Sequence, residues 1–448
     1  MHRYFARFVI EAETPLAVGS DKLHYYQDAP IEKDFNGLPY IPGTALAGAF
    51  QDGLGVDFKH FFGNTDNSQP EGSNLIFSDA LLYDGKRVIE ILDNQVFDKS
   101  YFKEFKDLPI RPHARHDHKA TALEGGLFDQ EVVYKGTRFK FEISLESQTP
   151  QDKIWELMLN KVQSFNLFLG SGQYRGYGLC TIQEIKTYYA KDFETYTAIE
   201  PSLGNDTGFK IENNIKKSVE WKQLKLDTSQ SLFHFGAGSS DDETDAINYK
   251  ERAIKWVLKK DENRNYYFPD FEEYFVIPGS SIKGLIAHRV AFYYNLGKKE
   301  TISLEKIAAR CKKEGSETVD LEKFREEVDK ITGENNPAVK ALFGQAKESA
   351  TQTGNKGRVI IPDIFIPTQN ASEVKLMHNT IDRFTGGTLD TALFSEKAFY
   401  IDELTINYFV EPTVEEKYFV KALADIKNGT LPIGGMAAKG HGIINGKS

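Results

Sequence analysis

Polar and apolar residues alternate from the start of the chain, in Met1-His2-Arg3-Tyr4-Phe5-Ala6-Arg7-Phe8-Val9-Ile10. That period of two predicts a first β-strand. It lacks the continuous apolar block of a signal peptide, so a cytoplasmic protein is expected. Apolar residues at helical spacing follow Pro42-Gly43 and again Pro278-Gly279, and another helix is predicted over Asp152–Phe168. Strand-like runs dominate elsewhere. The combination predicts an α+β chain with helices on one face of an antiparallel sheet, and leaves the sheet topology open.

The pattern occurs twice. Leu38-Pro-Tyr-Ile-Pro-Gly-Thr-Ala-Leu-Ala-Gly48 is answered by Tyr274-Phe-Val-Ile-Pro-Gly-Ser-Ser-Ile-Lys-Gly284. Phe61-Phe62-Gly63 then answers Leu342-Phe343-Gly344, and Ile76-Phe77-Ser78-Asp79 answers Ile360-Ile361-Pro362-Asp363. His113 and Asp117 share a spacing with His378 and Asp382, and Gly126-Leu127-Phe128-Asp129 parallels Ala392-Leu393-Phe394-Ser395. Two glycine loops complete the series, Gly170–Gly178 and Gly434–Gly442. Matches in one order point to duplication. The polar stretch Tyr196–Lys216, with Pro201, Gly204, Asn205 and Gly208, marks the junction and gives units 1–200 and 201–448. The second unit carries a charged, helix-prone insertion near 295–340, with Ile307, Val319, Leu321 and Phe324 available to pack.

Composition narrows the classes. The length of 448 residues suits two domains, and no run approaches the roughly 18 apolar residues of a membrane span. Cys180 and Cys311 are the only cysteines, which excludes a disulfide framework and a cysteine-rich zinc site. Fifty-five Lys and Arg against 65 Asp and Glu give a net charge of −10, unlike a free-standing nucleic-acid binder. Basic segments can still line a groove while acidic faces meet protein partners.

Several segments carry candidate chemistry. The glycine loops lack the Gly-Lys-Ser/Thr of a P-loop and run into strand-like residues. They read either as turns needing positive φ or as places where an RNA backbone approaches, with Arg175 or Lys439 supplying charge. The helix openings after Pro42 and Pro278 offer amides and a positive dipole end to an anion, with Lys283 adding charge. Alternatively, Thr44 and Ser280 simply cap those helices. Residues 111–121 hold three His and three Arg or Lys, a basic RNA-facing loop or a solvated surface. His113, His116 and His118 with Asp117 also have metal-ligand chemistry, but the other copy keeps only His378 and Asp382. Asp28, in Gln27-Asp-Ala-Pro-Ile-Glu-Lys-Asp34, is an acidic turn or a group that positions a metal ion or a ribose 2′-hydroxyl. Asp241, Asp242 and Asp245 lie in the corresponding stretch.

The Pro-Gly-Ser/Thr-x-Leu/Ile-x-Gly motif, Phe-Gly, the run His378–Phe394 and the terminal Gly-Gly-x-x-x-Lys-Gly-x-Gly resemble the RAMP superfamily. The likeness is greatest to backbone subunits of type III CRISPR effector complexes. It implies two tandem ferredoxin-like (RRM-like) domains that bind guide RNA through its backbone. It also implies thumbs, by position residues 112–126 and 377–391, wedged between guide and target bases. Several such subunits cut target RNA opposite each thumb with an Asp before the Pro-Gly strand and a divalent cation such as Mg²⁺. Asp28 matches that Asp-x-Pro-x-x-x-Asp pattern as catalytic and metal-holding residue, and Asp245 is preferred in the second copy. The residues expected to meet RNA are Thr44, Ser280, Ser281, Lys283, His113, Arg115, Lys119, His378, Arg383, Arg175 and Lys439.

Three functions fit this reading. One is a guide-binding backbone subunit that cleaves target RNA alongside other effector subunits. Another is a purely structural subunit. The third is a stand-alone guide-processing ribonuclease with His24 or His113 as general base.

Overall fold

The computed structural model describes residues 2–20, 28–63, 71–116, 122–212, 220–236, 240–261, 264–298, 304–313, 318–333, 335–345, 354–389 and 392–444. The first half begins with β1 (His2–Ala12) and α1 (Gly43–Leu54), then β2 (Leu75–Phe77) and β3 (Leu81–Leu82). A hairpin of β4 (Ile110–His116) and β5 (Ala122–Glu131) precedes β6 (Arg138–Ser147) and α2 (Asp152–Val162). β7 (Leu167–Phe168), β8 (Leu179–Ala190), α3 (Phe193–Thr197) and β9 (Lys210–Ile211) follow.

The chain is α+β, as its pattern predicts. The main sheet has the order β2-β6-β1-β8-β7, with antiparallel neighbours. β1 lies at its centre, and every position from Tyr4 to Ile10 is buried. Phe8 stacks on Phe141 at 5.1 Å, and Phe50 of α1 meets both rings edge-on at 5.9 Å. Trp155, Met158, Leu159 and Val162 turn one stripe of α2 into the same core, as i, i+3, i+4 spacing requires.

The opposite sheet face is polar. Lys140 and Lys186 reach Asp206 at 2.8 and 2.7 Å, while buried Arg7 pairs with Glu142 at 2.8 Å. The stretch expected to be a linker is therefore fastened to the first sheet through Asp206 and β9. The predicted helix to Phe168 stops at Val162, because Leu167 and Phe168 pair with Cys180 and Leu179.

The second half contains β10 (Lys222–Asp227), β11 (Leu232–Phe233), β12 (Lys250–Asp261), β13 (Arg264–Ile277) and α4 (Gly279–Gly297). Three short helices come next, α5 (Leu304–Arg310), α6 (Leu321–Thr332) and α7 (Pro337–Phe343). The remainder is β14 (Val359–Ile360), β15 (Ile364–Pro367), β16 (Ser372–His378), β17 (Phe394–Tyr400), β18 (Glu403–Val410) and α8 (Glu416–Lys427). Strand order β14-β18-β10 repeats β2-β6-β1, and α4 and α8 pack where α1 and α2 do. In the insertion, Ile307, Cys311 and Val328 form a small separate core with Val319 and Phe324 beside it. Leu321, expected to pack, is exposed instead.

The hairpin β12–β13 is far longer than its counterpart between Ile31 and Ile41, and it lies across the first half. Ile254 joins the first core, and Trp256 donates its indole N–H to the Gly136 carbonyl at 2.7 Å. Its runs of strand-forming residues, Ile254-Lys-Trp-Val257 and Tyr266-Tyr-Phe268, are the signal that marks it.

Candidate nucleic-acid interface

The hairpin β4–β5 and its counterpart β16–β17 stand on loops that carry the candidate carboxylates. Asp28 is exposed, and its Oδ2 accepts the Asp129 main-chain N–H at 3.0 Å. The next residue, Ala29, donates to the Asp129 carbonyl and accepts from the Glu131 N–H. In the second half Asp245 Oδ2 accepts the Ser395 N–H at 2.8 Å and its hydroxyl at 2.9 Å. Ala246 then donates to the Ser395 carbonyl and accepts from the Lys397 N–H. The bonding is the same, residue for residue, so Asp245 stands where Asp28 does. Asp241 does not, being tied to Lys397 at 2.6 Å and held down at about 2 by that bond. The Ser395 amide and hydroxyl lower the Asp245 pKa as well.

Asp28 Oδ1 makes no hydrogen bond to a described residue. A hard divalent cation accepts such a carboxylate oxygen. Among the described residues, no three His, Cys, Asp or Glu side chains gather into a metal site. His24, His118, Asp117 and Lys119 lie outside the described residues, as does the Arg115 side chain.

At the base of each hairpin the strand pair meets the glycine loop. In the first half, His113 stacks on Phe128 at 4.9 Å and its Nε2 lies 3.2 Å from the Tyr177 hydroxyl. The Arg175 guanidinium sits over Phe128 at 4.7 Å and donates to Gln130 at 3.4 Å. Burial, with Arg175 and Arg111 nearby, pushes the His113 imidazole down from 6.5 to about 4. In the second half His378, Phe394, Glu396, Lys439 and His441 hold the corresponding places. His378 Nε2 lies 2.7 Å from Glu396 Oε1, and Lys439 lies 3.7 Å from Oε2. Glu396 is fully buried, so a carboxyl side chain faces Lys439 where the first half sets the neutral Gln130 amide against Arg175. Lys439 therefore presents less net charge to its surroundings than a lone lysine would.

The glycine loops share one backbone. Each runs through a left-handed residue (Gly172, φ 75°; Met436, φ 59°) into a short 3₁₀ turn and a second left-handed glycine. Left-handed geometry accounts for the glycine at 176, where a Cβ would also strike the Ile361 carbonyl at 2.4 Å.

The helix openings differ from expectation. Thr44 and Ser280 do not cap; Pro42 and Pro278 hold the cap positions, and neither helix has a side-chain cap there. Proline has no capping oxygen, and carboxylates from elsewhere serve. Asp79 accepts the Gly43 N–H at 2.8 Å, and Asp363 accepts the Gly279 N–H at 2.7 Å. A phosphate at either helix would face an internal anion. Thr44 and Ser281 remain exposed, while Ser280 is half-buried. Lys283 lies over the Phe343 ring at 5.6 Å. Arg383 is exposed at the tip of β16–β17, where Asp382 shapes the turn by accepting the Phe384 and Thr385 amides.

Residues 111–121 are also not one RNA-facing loop. Arg111 to His116 form a strand, and Arg111 is buried against the second half. Its guanidinium bonds Glu251 at 2.7 and 3.0 Å, the Tyr177 hydroxyl at 3.3 Å, and Asp363. One arginine thus ties hairpin β4–β5, hairpin β12–β13 and the start of α4.

Two copies of one α+β plan, each presenting a hairpin above a carboxylate loop, define the class. The RAMP superfamily description matches residues 9–181 and again 225–445, and the chain belongs to that superfamily. A curated relative, the "CRISPR system Cms endoribonuclease Csm3" of Methanocaldococcus jannaschii, is 27% identical over 232 residues. The match covers 47% of this chain and 91% of the relative. A solved structure, "Type III-B Cmr-beta Cryo-EM structure of the Apo state", is 17% identical with a TM-score of 0.31, covering 42% of this chain and 98% of that one. No helix among the described residues is long and apolar enough to cross a membrane.

Proposed function

We propose that this chain is a cytoplasmic, guide-RNA-binding backbone subunit of a type III CRISPR interference complex that cleaves target RNA at two points. Its two tandem units are ferredoxin-like (RRM-like), and the partners are guide RNA, target RNA and other effector subunits. The observation that carries this reading is the equivalent seating of Asp28 and Asp245 at the foot of equivalent hairpins. Superfamily membership and the likeness to an endoribonuclease of a CRISPR system support it.

In this reading the hairpins β4–β5 and β16–β17 act as the thumbs. RNA is met by His113, Arg115, Lys119 and Arg175 in the first unit, and by His378, Arg383 and Lys439 in the second. Ser280, Ser281, Lys283 and Thr44 border the path. Asp28 and Asp245, fixed by their amide bonds, hold a target ribose and its phosphate in line. A bound divalent cation such as Mg²⁺ would neutralise charge that develops on the phosphate.

The purely structural reading has one observation in its favour, the absence of a preassembled metal cluster among the described residues. Stand-alone processing with His113 as base is disfavoured, because an imidazole held near 4 is a weak base at neutral pH.

The test uses the assembled complex with guide, labelled complementary RNA and Mg²⁺, with EDTA as control. Asp28→Ala should lose one cut and Asp245→Ala a second, with guide binding intact. Both cuts surviving in both variants leaves the structural reading.

A further inference from the structure

The two halves meet through a junction with two unlike faces. The first half offers its glycine loop and Arg111. Gly176 rests on the Ile361 carbonyl, and Tyr174 packs beside Gly357. The second half offers Ile361, Pro362 and Asp363 at the opening of α4. Ile361 and Pro362 are buried, and the Asp363 side chain is only 1% exposed under Arg111.

Because the halves repeat, the receiving face exists a second time, on the first half. Phe77, Ser78 and Asp79 hold the places of Ile361, Pro362 and Asp363, and Asp79 caps α1 as Asp363 caps α4. Yet Asp79 is exposed, Ile76 beside it is 53% exposed, and no cation of a described residue pairs with Asp79. This face has the form of the junction without its arginine.

We propose that the Phe77–Asp79 face and the opening of α1 dock a neighbouring RAMP-type subunit that brings an arginine at the place of Arg111. The inference rests on the assembly reading above and names the partner of that face. A second copy of this chain is the wrong occupant. Its outward glycine loop does present Gly440 with open space around it. But the strand position of Arg111, paired with Gln130, is Leu376, paired with Glu396. That end brings an apolar side chain and a buried carboxylate towards Asp79, with no arginine between them.

The experiment compares wild-type chain, Asp79→Asn and Asp79→Lys, each co-expressed with the other effector subunits and guide, by native mass spectrometry and pull-down across a salt series. Asn keeps an oxygen for the Gly43 N–H, so its melting temperature should match wild type. Loss of an interfacial charge pair predicts roughly tenfold or greater weakening of one neighbour in Asp79→Asn, and its absence with Asp79→Lys. Guide retention should persist in both. Restoring the Asp79→Lys complex by an Arg→Asp change in that neighbour would identify the pair. Unchanged assembly in both variants overturns the docking inference alone. Asp79-dependent self-association of the purified chain overturns the choice of partner. Wild-type chain that assembles with no other subunit overturns the assembly reading, and the docking proposal falls with it.

Discussion

Asp28 and Asp245 occupy the same position in the two halves of the chain, each with its carboxylate on the N–H of a residue in the outgoing hairpin strand, Asp129 or Ser395. A side chain bonded to a strand amide is oriented by the sheet instead of by its own flexible loop. Two such carboxylates are two equivalent sites on one polypeptide.

That bond also makes alanine an imperfect test, since it removes charge and anchor together. Asp28→Asn and Asp245→Asn keep an oxygen for the amide and lose only the charge. Each should lower its own cut by about 10²-fold or more while leaving the other, with guide retention unchanged. Cleavage mapping on sequencing gels reads both positions at once. Full cutting by Asp28→Asn means that the carboxylate charge does not serve the reaction.

Arg111 should be the most costly single cation to remove. Arg111→Met leaves Glu251 and Asp363 buried without their counter-charge, a loss of about 3–5 kcal/mol in denaturant unfolding. Adding Glu251→Gln and Asp363→Asn should recover much of it, because the buried charges leave together. If the triple variant is no more stable than the single one, packing and not charge holds the junction.

His113 predicts a pH dependence with a definite sign. Its folded pKa of about 4 lies below the ordinary 6.5, so the unfolded chain binds the extra proton first. The contribution is intact above pH 6.5, declines as pH falls, and levels off near 4. His113→Gln should flatten that part of the stability curve, followed as urea midpoint against pH. An unchanged slope would assign the acid sensitivity to other groups.

For RNA, Lys283→Ala, Arg175→Ala and Lys439→Ala together should weaken guide binding for every sequence alike. Three lost phosphate contacts would flatten the salt slope by about 2, at about 0.7 per contact for single strands. Lys439→Ala alone should matter least, since Glu396 already offsets its charge. Filter binding across a salt series measures both, and an unaltered slope moves the phosphate contacts elsewhere.

Much of this protein is local and periodic, and such information is written in the chain. Alternation marked β1 as a strand, helical spacing after Pro42 and Pro278 marked α1 and α4, and ordered matches revealed the duplication. The family resemblance even preferred Asp245, the residue that bonds as Asp28 does. Contacts between distant residues have no such trace. Thr44 and Ser280 looked like caps because cap preferences are local, yet Asp79 and Asp363 reach in from 36 and 84 residues away. Arg111 sat in a run of basic residues that suggested RNA, and only its burial against Glu251, 140 residues on, shows it to be the tie between the halves. A sequence displays the charge of a side chain. What that charge faces, and hence whether it is available to RNA or used within the protein, is set by tertiary structure, because desolvation and pairing depend on neighbours brought together by the fold.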